Sequence, residues 1–416
     1  MTPPVKRPHI LLGNVFFSPF SYGGATVVAE EVARDLVARD AARVSAVSLM
    51  SRAEMAPYTV MRAQNAGVDN YMINMPAGRG YEANYDNPEV GRVFDELIAD
   101  LAPDLMHLHC IQEIGVDALR AAKRANLPAI LSVHDFWWIC ERQFMIRMDN
   151  VYCAQNPVNI DNCKSCVGNW EAAKARLLCL HEVARDVDMI TYPSHFAREL
   201  SEASGLAPGR GVVWGNGVHL PGPDFAAAQA ARRARDPRLV FGFVGGPSQI
   251  KGWPIIRKAF QELGAETGRD DFVVQVVDGS MDGSWWRGID LSDLPGEWQV
   301  VPRFKQAQMD QFYAGIDVLL FMSQWKETFG LAIREALARG IRVIQTESGG
   351  TTEHGAAHAQ ELIPIGAGSQ ILMPQLDAAL SAHPAPAPDP VAITGFGDQA
   401  REFEALVARV LASVKG

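Results

Sequence analysis

Short, nearly all-apolar runs alternate with longer stretches of helical periodicity along the whole 416-residue chain. Ile10–Phe17, Val44–Leu49, Leu105–His109, Ala129–His134 and Met189–Tyr192 carry few polar residues, as strands buried on both faces should. Between them, Ala25–Arg39 sets Val27, Val28, Val32, Leu36 and Val37 on one stripe, the pattern of an amphipathic helix. Such alternation predicts an α/β fold with parallel sheets. At Val212–Val218 a further strand ends in Asn216-Gly217. Turn residues Pro221-Gly222-Pro223 and an Ala/Arg-rich stretch to Arg238 follow, so 221–237 reads as a linker. The alternation then restarts with Leu239–Val244, Phe272–Val277, Gln299–Val301, Val318–Met322 and Val343–Thr346. Two domains of one general class are expected, 1–220 and 238–390, without a short internal repeat. After Pro384, Pro386, Pro388 and Pro390 comes a terminal segment, 391–416, helical from about Asp398 to Val414.

Composition adds exclusions. The chain is 48% hydrophobic and 21% charged, as a globular enzyme would be. No apolar run nears the ~20 residues that span a bilayer. Met1 to Pro8 lead straight into a strand without an apolar signal segment, so a cytoplasmic protein is expected, with at most peripheral contact at the inner membrane face. A formal net charge of −10 argues against nucleic acid and against a broadly basic face on anionic lipid. Of six cysteines, Cys140, Cys153, Cys163 and Cys166 fall in a polar, aperiodic stretch that reads as an insert, 140–170, in the first domain. In a reducing compartment such thiols are metal-bound or unbridged. The pair Cys163-x-x-Cys166 has knuckle-like spacing, so a structural zinc on the four sulfurs and a loop of inert thiols both remain open.

Open α/β sheets bind ligands beyond the C-terminal ends of their strands, and several chemistry-bearing groups fall there. Ser21-Tyr22-Gly23-Gly24-Ala25 links the first strand to the first helix, where glycines and a helix dipole can receive an anion. Gly245 to Gly252 follows the first strand of the second domain and ends in Lys251-Gly252. His107-Leu108-His109 and His134-Asp135-Phe136-Trp137 end two strands of the first domain. Glu327 closes the run Val318–Met322, and Glu335, eight positions on, is expected about two turns inside the next helix, aimed at the same crevice. Paired carboxylates suit a ligand rich in hydroxyls, since each accepts charge-assisted hydrogen bonds.

Glu327-Thr328-Phe329-Gly330-Leu331, then Glu335-Ala336-Leu337-Ala338, then Gly340 to Ile344, then Gly349-Gly350-Thr351-Thr352-Glu353 together read E-x-F-G-L, E-A-L-A, G-x-x-V-I and G-G-x-x-E. This block resembles the donor-binding half of retaining glycosyltransferases of family 4, and the likeness extends over nearly the whole chain. The resemblance implies a GT-B fold, two Rossmann-like domains facing each other across a cleft, with the last helix crossing back to the first domain. It implies transfer of a sugar, with retention, from a UDP- or GDP-linked donor to a hydroxyl of a glycan or lipid-linked acceptor, in surface polysaccharide or glycoconjugate biosynthesis. Lys251, the Gly23-Gly24 loop and helix N-termini near Gly349-Gly350 would then stabilise the leaving diphosphate. Glu327 would bond the donor sugar, Glu335 the ribose, and His134 a sugar hydroxyl, with Phe329, Gly330 and Leu331 completing the donor-binding segment. His109 would shape the cleft floor. On this scheme catalysis requires no cofactor, and no protein group acts as general base, because the departing phosphate takes the acceptor's proton. One departure stands out: an Arg is expected where Gly246 lies, and Arg303 is the candidate substitute. That departure supports a rival reading, a catalytically inactive nucleotide-sugar-binding partner of an active transferase. A phosphorylase or epimerase on the same donor type is the alternative within the fold.

Overall fold

A computed structural model describes residues 7–357, 361–384 and 387–413; Met1, Pro386 and Val414 of the terminal expectations lie outside them. The chain divides into two compact units. The first comprises residues up to Met145, Ala154–Gly217 and those from Thr394 on; the second comprises Ile146–Cys153 and Val218–Ile393. The expected insert 140–170 is thus divided between them.

In the first unit, β1 (His9–Gly13), β2 (Arg43–Met50), β3 (Val60–Asn65), β4 (Val68–Asn74), β5 (Leu105–Leu108), β6 (Ala129–Ser132), β7 (Met189–Tyr192) and β8 (Gly211–Val213) form one sheet. Its order is β3-β4-β2-β1-β5-β6-β7-β8, parallel except where β3 meets β4. Five helices, α1 (Gly24–Ala38), α2 (Pro88–Leu101), α3 (Asp117–Arg124), α4 (Trp170–Ala184) and α5 (His195–Ala203), connect the strands. Side-chain caps start three of them: Asn87 accepts from Val90 N, Asn169 from Ala172 N and Ser194 from Ala197 N. The strand β1 stops at Gly13, four residues before the end of the apolar run, because Asn14 turns the chain. Its side chain donates to Phe16 O (2.6 Å) and Thr26 Oγ1 (3.1 Å) and accepts from Cys110 N (3.0 Å). The hairpin β3–β4 is absent from the periodicity because β3 is a largely exposed edge strand without an apolar face.

In the second unit, β9 (Leu239–Phe243), β10 (Phe272–Asp278), β11 (Glu297–Pro302), β12 (Val318–Phe321) and β13 (Arg342–Gln345) form an all-parallel sheet, ordered β11-β10-β9-β12-β13. Helices α6 (Phe225–Arg235), α7 (Trp253–Thr267), α8 (Met309–Ala314), α9 (Leu331–Leu337) and α10 (Ser369–Ser381) belong to it. On one side Phe241, Phe260, Phe272, Trp253 and Trp286 pack into a single cluster; on the other, Phe225, Phe312 and Tyr313 do. The expected linker 221–237 is corrected here, since most of it is α6. Its alanines favour helix, Phe225 is buried, and Arg232 and Arg233 both pair with the buried Asp317, at 2.6 and 2.8 Å.

The last helix, α11 (Phe396–Ser413), lies on α1 within the first unit. Phe403, fully buried, stacks on His107 (ring centroids 4.3 Å apart) and lies 5.1 Å from Trp214, while Gln399 receives Trp214 Nε1 and Gly217 N. Among the described residues no helix is long and apolar enough to cross a membrane. Phe403→Ala is expected to destabilise the first unit by ~3–5 kcal/mol, the usual cost of emptying an aromatic site. Urea unfolding measures it, and a loss under ~1 kcal/mol would mean that α11 is dispensable to this core.

Candidate active site

Central strand β9 is flanked by β10 on one side and β12 on the other, so the chain's direction of winding reverses at its C-terminal end. Ligands of open parallel sheets sit at such a point. The loop after β9 closes with Lys251 and Gly252. Gly252 has φ +80°, and a Cβ there would collide with the Met322 carbonyl at the end of β12. Only glycine fits, and this close approach brings Lys251 over the next loop. Its Nζ donates to Glu327 Oε1 at 2.8 Å and lies 5.3 Å from the Trp325 ring centre. Ser323 Oγ donates to the same Oε1. Among the described residues no protein group donates to Oε2, so half of this carboxylate is left to accept from elsewhere.

The backbone around Glu327 is stitched to the loop after β13: Glu327 N donates to Ser348 O and Gly350 N to Glu327 O, both at 2.9 Å. Beneath them lies Arg334, which the motif reading passed over. Its buried guanidinium donates to Phe329 O, and at 3.0 Å each to Gly350 O and Glu353 O, with Phe329's ring 3.6 Å away. Burial lowers its pKa to about 10, which leaves it charged at neutral pH. The available signal was an arginine between Ile333 and Ala336, on the buried side of a short helix. Phe329, expected in the donor-binding segment, has its side chain buried against this guanidinium, while Gly330 and Leu331 are half-buried at the start of α9.

Two expectations change at this end of the sheet. Glu335 is the fifth residue of α9, little more than one turn in, and its Oε2 accepts from Tyr313 of α8 at 2.9 Å. Burial raises its pKa, with the Tyr313 hydroxyl and then Arg339 opposing the rise. Glu327 and Glu335 share no hydrogen-bond partner among the described residues. Near Gly349-Gly350 there is only a single 3-10 turn, Gly350–Thr352, too short for the expected helix dipole to develop. Arg303 is exposed and lies against Met281 Sδ.

In the first unit, Gly23 and Gly24 are exposed at the start of α1, with no side chain capping it. Ser21 Oγ ties the loop to the buried Glu30 (2.5 Å), which Arg34 also bonds. At the ends of β5 and β6, His109 Nδ1 and His134 Nε2 lie 2.8 Å apart, and His107 Nε2 bonds Ser132 Oγ at 2.8 Å. His109 thus partners His134 directly. Burial holds His134 down to about pKa 4 and His107 to about 3, and depresses His109 well below the ordinary range. With both rings neutral, one nitrogen of the His109–His134 contact donates and the other accepts, so each tautomer fixes the other. Beside them Asp135 accepts from Trp137 N (2.8 Å), Gln143 Nε2 (2.7 Å) and Gln112 Nε2 (3.1 Å), which holds the loop after β6.

Cys140, Cys153, Cys163 and Cys166 are not gathered into a metal site. Among the described residues no three His, Cys, Asp or Glu side chains are placed to hold an ion. Local bonds hold Cys163 instead, with Gln155 Nε2 donating to its sulfur and the thiol contacting Asn159 O. The zinc expectation does not fit this arrangement.

Two α/β units built on parallel sheets are the fold of GT-B glycosyltransferases. The Glycosyl transferase 4-like domain family matches residues 23–217 and the Glycosyl transferases group 1 family residues 238–381. The chain belongs to glycosyltransferase family 4. Among solved structures it is similar to HepE from Anabaena (16% identity, 98% of each chain covered, TM-score 0.59). Sucrose-phosphate synthase from Thermosynechococcus elongatus is also similar (15%, 98% of each, 0.61), as is the catalytic domain of starch synthase IV from Arabidopsis thaliana (13%, 98% of this chain and 100% of that one, 0.63). No curated protein matches.

Two expected outcomes concern the histidines and the cysteines. Unfolded imidazoles titrate near 6.5, whereas His134 and His107 stay neutral down to about 4 and about 3. The unfolded chain therefore binds more protons below 6.5, and stability present above that pH is lost as pH falls through the window. Each such histidine contributes a slope of ~1.4 kcal/mol per pH unit there. Urea unfolding from about pH 7 to about pH 5 should show the fall, and His134→Gln should make it shallower by about one proton. An equal slope in the variant would contradict the assignment. Separately, elemental analysis of protein purified without added metal is expected to find well under one zinc per chain; a stoichiometric ion would show that the four thiols do converge.

Proposed function

We propose that the protein transfers a sugar, with retention, from a UDP- or GDP-linked donor to a hydroxyl of a glycan or lipid-linked acceptor. The observation carrying this reading is the Lys251–Glu327 pair at the β9/β12 crevice, with Glu327 Oε2 left to accept. A nucleotide sugar presents a diphosphate and a ring of hydroxyls side by side. Lys251 Nζ neutralises charge as it builds on the leaving diphosphate, and Glu327 accepts from the sugar's hydroxyls. Because Ser323 also holds Oε1, Glu327 keeps its orientation when Lys251 turns to phosphate. His134, neutral at working pH, donates or accepts one hydrogen bond to a sugar hydroxyl, with His109 fixing which. The departing phosphate oxygen receives the acceptor's proton, so no side chain is assigned as base. Structural relatives lend support: HepE is described with UDP and UDP-glucose, and starch synthase IV with ADP and acarbose. A role in surface polysaccharide or glycoconjugate biosynthesis belongs to the same proposal. Gly246, in place of the expected Arg, is the one feature favouring a binding protein without turnover.

Glu327→Ala and Lys251→Ala are each expected to lower nucleotide release from a verified donor ~10²–10³-fold, ~2.7–4 kcal/mol of barrier. Thermal melting should show both variants folded. Rates near wild type in either would refute the assigned roles, and tight donor binding without turnover in the wild type would favour the binding-protein reading.

A further inference from the structure

The place where an arginine is expected is closed by an aromatic ring. Gly246 has φ +65°, and a Cβ built on it would meet the six-membered ring of Trp285, with Cε3 at 2.7 Å and Cζ3 at 3.1 Å. Gly279, at the end of neighbouring β10, would meet the same ring, with Cζ3 at 2.7 Å and Cη2 at 2.8 Å. Two glycines on adjacent strand ends thus make a floor that only hydrogen atoms leave room for, and the indole's benzo edge rests on it. A side chain at 246 would be strained by its backbone and blocked by the ring.

Trp285 is nevertheless 41% exposed. Its neighbour Trp286 is buried, donates from Nε1 to Val277 O (3.0 Å) and meets Trp253 edge-on, ring centroids 4.9 Å apart. The buried carboxylate of Asp278 receives Ser280 N (3.0 Å), Ser280 Oγ (2.5 Å) and Trp286 N (3.5 Å). With Trp286 pinned inward and the loop capped by Asp278, Trp285 is held outward. An aromatic face left partly open on a braced loop is a surface on which another planar group can stack. The site is also asymmetric about β9. Toward β12 lie the ammonium and carboxylate of Lys251 and Glu327; toward β10 lie the indole and the exposed thioether of Met281. A nucleotide sugar has the same asymmetry, hydroxyls and diphosphate at one end and a flat heteroaromatic base at the other.

We propose that Trp285 is the stacking platform for the donor's nucleobase, and that Gly246 and Gly279 are glycines because the ring must lie on them. This rests on the transferase reading and makes Trp285 a specificity-determining residue: donor grip comes from a stack at the place where Gly246 replaces the expected arginine. Stacking tolerates any base, so the residue selects nucleotides over free phosphates more than one nucleotide over another.

The test titrates UDP, GDP, inorganic pyrophosphate and glucose 1-phosphate against wild type, Trp285→Phe and Trp285→Ala by calorimetry. Trp285→Ala should weaken the nucleoside diphosphates by about tenfold or more, the usual effect of losing a base–aromatic stack. Trp285→Phe should retain most of the affinity, and pyrophosphate should bind all three alike. In the wild type, saturating UDP should protect part of the tryptophan fluorescence from acrylamide quenching while pyrophosphate does not; that measurement stands even if the alanine variant misfolds. Nucleotide affinity equal in wild type and Trp285→Ala, an equal loss for pyrophosphate, or no nucleotide-dependent protection overturns the platform alone. A wild type that binds no nucleotide overturns the transferase reading as well.

Discussion

Three carbonyl oxygens, of Phe329, Gly350 and Glu353, converge on the guanidinium of Arg334, and the donor side of this protein depends on that convergence. Buried carbonyls without partners are costly, and a buried charge without partners is costlier. Here each need answers the other. The arginine clamps the loop after β12 to the loop after β13, and the backbone exchange of Glu327 with Ser348 and Gly350 completes the seam. Glu327 therefore stands on a rigid backbone, and Lys251 reaches it only because Gly252 lets the β9 loop press on Met322. Preorganisation of this kind lets a lysine and a carboxylate act on a ligand without first ordering themselves.

The Lys251–Glu327 pair combines two roles. Without ligand, the ammonium and carboxylate satisfy each other at 2.8 Å, which limits the cost of holding both half out of water. In the proposed function a diphosphate would offer Lys251 a more highly charged partner, and Glu327 would keep the Ser323 hydroxyl while its other oxygen accepted from a sugar. In the first unit the histidines follow a different logic. Burial keeps them neutral, so His134 meets its environment as a polar group with a fixed tautomer rather than as a cation.

Much of this was legible in the sequence, for physical reasons that also mark where legibility stops. Strands buried on both faces have to be apolar throughout, so the central strands of both sheets announce themselves; the β3–β4 edge hairpin, half in water, does not. Residues 221–237 resemble a linker by their flanking prolines and low apolar content, yet alanines and two arginines reaching Asp317 make α6. Glu327 and Lys251-Gly252 were each legible as members of family motifs, but their pairing was not, because it depends on Gly252 pressing on Met322, a tertiary contact. Partners that act through tertiary contact are silent in the chain: Arg334 gathers carbonyls from loops up to 19 positions away, and Trp285 lies on glycines 6 and 39 positions before it. The cysteine spacing suggested convergence that the fold does not supply, since spacing constrains a metal site only where the backbone brings the sulfurs together.

The most direct test is a crystal structure of the protein with an intact nucleotide-sugar donor. Lys251 Nζ should have left Glu327 Oε1, or be shared with it, and lie within hydrogen-bond distance of a diphosphate oxygen, with Glu327 Oε2 on a sugar hydroxyl. A bound donor that leaves the Lys251–Glu327 pair untouched, with its diphosphate on other groups, would contradict the account.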